Sequence, residues 1–134
     1  MEKMVIRVPV AVKAKVTEDL KQKIIGDLQN TIKKMDLDLE QFEFQAKRAL
    51  RQAANDLSML PTLREQIDIE RNKRTAARND AAAKLKRAEA LEMGAEIGHG
   101  TLERYVEVSV GTNIETLMGA EILTEDGVII AFRE

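Results

Sequence analysis

The feature that most constrains this chain is a seam of apolar residues at Leu28, Ile32, Met35, Leu39, Phe42, Ala46, Ala49 and Ala53. The steps alternate between four and three. That spacing keeps one stripe of a helix against a partner helix. Leu20 and Ile24 extend the stripe backwards. Thr17 suits the N-cap, because its hydroxyl can accept from a free amide of the first turn. Glu18 and Asp19 follow, where carboxylates favour the positive end of the helix dipole. Gly26 inside the arm costs about 1 kcal/mol relative to alanine.

Pro61 has no amide to donate and its ring clashes with a preceding helical turn, so the first arm is expected to end near Leu57. Thr62 and Glu65 have capping-box spacing and are expected to restart a helix. The second arm, in register, offers Leu63, Ile67, Glu70, Arg74, Ala77, Ala81, Lys84, Ala88 and Leu91. Alanine buries little area, so the pair of arms is expected to be weakest from Glu70 to Lys84. Gly94 is the expected stop.

Residues 5–16 alternate, with Ile6, Val8, Val10, Val12, Ala14 and Val16 on one face. This is a half-buried strand, and Pro9 argues for an edge position or a bulge. The glycine-punctuated stretch 94–100 reads as a linker. Beyond it, Leu102, Val106, Val108 and Val110 alternate with polar residues, and Arg104 interrupts their face. Asn113 to Met118 reads as one helical turn stopped by Gly119. Asp126-Gly127 is a type I′ hairpin signal between the last two strands.

The expected fold is therefore α+β: a long antiparallel helical hairpin, or coiled coil, attached to a small antiparallel β-sheet. An N-terminal strand occupies 1–16, the helical hairpin 17–93 with its bend near 58–62, the linker 94–100, and the C-terminal β segment 101–134. A two-stranded hairpin alone is marginal in water, so the terminal strands are expected to share one sheet.

Catalytic chemistry finds little footing. Cysteine is absent, which removes disulfides and thiolate metal sites. His99 is the only histidine and stands among glycines, without partners to make it an acid, a base or a ligand. Carboxylates at helical spacing, such as Asp36 with Glu40, read as a solvated face. The expectation is no enzyme, no cofactor and no metal. Without an apolar leader or a membrane-length run, a cytoplasmic protein with no membrane association is expected.

Association has more support. Leu37 and Phe44 are seven apart and sit two places after seam residues, on the back of the first arm. They are the candidate seat for a second copy, making a homo-oligomer. Leu57, Met59, Leu60 and Leu63 crowd the bend and are the candidate tip contact for a protein partner, in the manner of a prefoldin-like holdase chaperone. Arg64, Arg71, Arg74 and Arg78 form a candidate basic stripe for RNA or a ribosome. No aromatic residues interleave them, and Glu65, Asp68 and Glu70 lie close, so a solvated helix face is favoured over nucleic acid. Net charge runs +3 over residues 1–16, −1 over 17–57, +2 over 58–93 and −6 over 94–134. The acidic C-terminal part would repel a phosphate backbone.

The order of elements resembles the YlqD family of small bacterial and cyanobacterial proteins. A strand leads into a long helical hairpin bent at Leu60-Pro61. Then come a valine-rich strand (Val106, Val108, Val110), Gly111, a short turn ending at Met118, and Glu121 before a terminal Asp126-Gly127-Val128 hairpin. The resemblance implies a protein of unknown function and transfers no catalytic or binding residue.

Overall fold

The computed structural model describes residues 2–134. The elements run β1 (Lys3–Lys15), α1 (Glu18–Gln52), α2 (Leu60–Glu89), β2 (Glu96–Ser109), a 3-10 turn (Ile114–Leu117), β3 (Glu121–Glu125) and β4 (Val128–Arg133). The chain divides into two units, residues 1–21 with 91–134, and residues 22–90.

In the first unit the terminal segments do share one sheet, in the order β2-β1-β3-β4. The face predicted for β1 is the buried one: Val8, Val10, Ala14 and Val16 lose nearly all contact with solvent. Val16 is the most enclosed side chain, and its backbone is clamped by Ala95 and Gly94 at 2.7 and 2.8 Å. The sheet is not antiparallel throughout. β1 pairs antiparallel with β2 but parallel with β3, over Ala11–Ala14. The residues linking β2 to β3 carry the chain from one side of β1 to the other, so β3 re-enters alongside rather than folding back.

This topology also corrects the edge position inferred from Pro9. β1 is an inner strand, but β3 covers only Ala11 to Ala14. Ala11 donates its N–H towards that side, to Ala120 at 3.0 Å. Backbone direction repeats every two residues along a strand. The amide that Pro9 lacks would therefore have pointed the same way, where no strand lies.

The stretch expected to be a linker is mostly strand: residues 96–100 pair with β1. The ladder skips between Val12–Gly100 and Lys13–Gly98, leaving His99 as the extra residue of a bulge. Asp126 and Gly127 both take positive φ, at 50° and 83°, as the type I′ signal requires. Asn113 caps the 3-10 turn by accepting from the Glu115 amide.

The second unit holds most of the two helices. Thr17, just before α1, accepts from the Leu20 amide and donates to Asp126, as an N-cap should. Every seam residue of α1 is half-buried or buried, and Ala46 is the most enclosed. The bend differs from expectation. α1 ends at Gln52 and α2 begins at Leu60. Asp56 accepts from both the amide and the hydroxyl of Ser58, a local bond that competes with further helix. Pro61 lies within the first turn of α2, where a missing N–H has no acceptor to lose. The Thr62–Glu65 box is not used, since α2 starts without a side-chain cap. α2 ends at Glu89, and Gly94, at φ 84°, serves the turn into β2 instead.

Candidate interaction surfaces

The seam of α2 runs one position away from the expected register in its middle. Glu70, Ala77 and Lys84 are exposed, and Arg71, Arg78 and Leu85 take the half-buried places. With Leu60, Leu63, Ile67, Arg74, Ala81 and Ala88, they form the inward stripe. The reason is side-chain chemistry. An arginine presents a long aliphatic stem and a charge only at its tip, so it can cover apolar surface while its head reaches a polar partner.

Those partners come from α1. Arg71 grips Glu43 with two bonds, at 2.5 and 3.0 Å, and Asp68 at 2.8 Å. Arg74 bonds Asp38 and stacks over the Phe42 ring, 4.8 Å from its centre. Arg78 bonds Asp36 at 2.9 Å. The stacking leaves the Arg74 Nε enclosed without an acceptor. All three pairs fold about one point near Leu57. Ala46 and Ile67 are buried on the two sides of the bend, and Arg74 covers the Phe42 ring.

The same contacts shift ionisation. The hydrogen bond from Arg71 holds the Glu43 carboxyl below its usual range, and Glu43 in turn raises Arg71. Asp56 is lowered by the Ser58 hydroxyl.

The candidate basic stripe is thus not a free row of cations. Arg71, Arg74 and Arg78 are bonded to carboxylates across the hairpin. Arg64 makes no ion pair among the described residues, and it borders a groove at the bend.

The back of α1 is as the spacing implied. Leu37 and Phe44 are 59% and 63% exposed, although each is large and apolar. With Glu40, Gln41 and Gln45 they line a shallow depression of about 400 Å³.

The four tip residues separate. Leu57 and Met59 are exposed, while Leu60 and Leu63 turn towards the seam. Ile69, missed by the sequence reading, joins Leu57, Leu60 and Pro61 along a groove of about 610 Å³. Its signal was the one used for Leu37: it stands two places after a seam residue, Ile67.

Among the described residues, no group of three or more His, Asp or Glu is placed to hold a metal ion. None of their polar side chains is buried in a core, and no helix is long and apolar enough to cross a membrane.

A family model described as YlqD protein matches residues 4–133, nearly the whole chain. The chain belongs to the YlqD family. A solved structure, a protein of unknown function from Synechococcus sp. WH 8102, superposes with a TM-score of 0.83 at 23% identity, covering 99% of this chain and 96% of that one. That likeness speaks for the fold alone. Among the curated proteins compared, none matches.

Proposed function

We propose that the chain is a non-enzymatic interaction protein that self-associates along the outer face of α1. The observation that carries this is the exposure of Leu37 and Phe44, one heptad apart, on a helix whose inner seam is already filled. A pair of large apolar residues at that spacing suits a second helical contact. The lone histidine, isolated in a strand bulge, supports a non-catalytic reading.

Sedimentation velocity from sub-micromolar to high micromolar concentration tests it. The unmodified chain is expected to shift from its 15.0 kDa monomer to a larger species as concentration rises. Leu37→Glu with Phe44→Glu is expected to move that shift to higher concentration. No effect of the substitutions on assembly would remove this reading.

A second reading, client capture at the bend in the manner of a holdase, draws on the exposure of Leu57, Met59 and Ile69 beside one groove. Leu57→Glu with Met59→Glu should then abolish suppression of client aggregation and leave the helical circular dichroism unchanged. Binding of RNA through α2 has less support, because three of its four candidate arginines already bond carboxylates of α1.

A further inference from the structure

The sheet has two outer strands, and they are guarded unequally. β2 carries Glu103, Arg104 and Glu107 and two glycines. Charges and breaks of this kind stop an open row of backbone groups from pairing with another chain. β4 reads Val128-Ile129-Ile130-Ala131-Phe132 before its first charge, with no proline or glycine. Val128, Ile129, Ile130 and Phe132 are 46–75% exposed, although all are large and apolar. β4 pairs only with β3, so its other side is open. An irregularity in that ladder between Leu123 and Thr124 leaves Ile130 as the extra residue. It bends the strand without supplying partners on the outer side.

We propose that β4 pairs antiparallel with β4 of a second copy, joining two four-stranded sheets into one of eight strands. This interface is separate from the α1 face and rests on different residues. Two features select a second copy as the occupant. A strand that meets itself across a two-fold axis must run antiparallel, and both partners then bury the same apolar patch. The ends of β4 also carry opposite charge. Glu125 and Asp126 precede it, and Arg133 closes it. Antiparallel overlap brings each Arg133 beside the acidic turn of the other copy. Arg133 also pairs with Glu96 and Glu121 of its own sheet, and its side chain stays 47% exposed. Glu134, the neighbouring acid, is already taken by Arg104 at 2.8 Å.

The absence of cysteine makes the test clean. Val128→Cys, Ile130→Cys and Phe132→Cys are introduced singly into the full chain, with Ser58→Cys at the exposed bend as control. Under mild oxidation at micromolar concentration, at least one β4 variant is expected to form a covalent dimer about tenfold or more faster than the control, since a paired edge raises the local thiol concentration. The same panel in a Leu37→Glu, Phe44→Glu background separates the two interfaces, because β4 cross-linking should survive there. Rates equal to the control for all three β4 variants would overturn the proposal. A readout free of substitution is amide exchange of the unmodified chain. The 128–133 amides should exchange several-fold more slowly at high concentration than after dilution, and exchange independent of concentration would equally overturn it.

Discussion

The sheet and the helical hairpin both combine apolar surface with many charges, but they place the charges differently. On the sheet, Lys3–Glu107, Arg7–Glu103 and Lys13–Glu121 sit on the face opposite Val8, Val10 and Ala14. The two kinds of side chain are kept apart by the two-residue period of a strand. In the hairpin, Arg71, Arg74 and Arg78 stand within the inward stripe itself, over the apolar residues of α1. Those three ion pairs decorate a surface that would bury the same core without them, and Arg104, opposite Val8 in the ladder, is the exception, reaching Glu134 from the apolar face. The hairpin's ion pairs help to close it.

The comparison breaks first where burial is greatest. Val16→Asp should unfold the sheet unit, costing more than about 3 kcal/mol, because the carboxylate has no water and no partner at that site. Chemical denaturation followed by circular dichroism would read it. Ile67→Ala, which opens a space where a buried side chain stood, should cost the hairpin about 2–4 kcal/mol in the same measurement. Charge substitutions sharpen the contrast. Arg74→Ala removes the Asp38 bond and the Phe42 stacking and should cost about 1 kcal/mol. Arg7→Ala on the sheet should cost under about 0.5 kcal/mol.

Acid should separate the two regions as well. The folded Glu43 carboxyl titrates below its unfolded counterpart, whose usual value is 4.5, because Arg71 bonds it. Its contribution is therefore complete above that value and fades as pH falls through the lowered one. Helical unfolding monitored from pH 6 down to 2 should show this loss, and Glu43→Gln should flatten it. The smallest effects belong to the residues once placed in the seam: Glu70→Ala and Lys84→Ala should change stability by less than about 0.5 kcal/mol.

What could be read from the sequence follows the same division. The α1 stripe, the β1 alternation and the Asp126-Gly127 turn were legible because each is written in apolar spacing or in a backbone angle few residues accept. The α2 register was not. A strict alternation of four and three carried on from Leu63 and Ile67 lands on Glu70, Ala77 and Lys84, whereas the folded stripe takes a second step of four after Ile67 and reaches Arg71, Arg78 and Leu85. The parallel β1–β3 pair was also hidden, since strand periodicity carries no direction. Of the candidate surfaces, Leu37 and Phe44 are exposed on the back of α1, where their spacing places them. The tip divided, because the seam drew in Leu60 and Leu63 and left Leu57 and Met59 outside. The β4 edge was visible as a strand but not as an edge, because sheet order is settled only when four segments assemble.

The arginines of α2 close the hairpin by bonding carboxylates of α1. A double-mutant cycle on Asp36 and Arg78, measured by denaturant unfolding, tests it directly. Asp36→Arg and Arg78→Asp should each destabilise, and the swapped pair should recover about 1 kcal/mol of the combined loss. A coupling of zero, with the two losses simply adding, would contradict it.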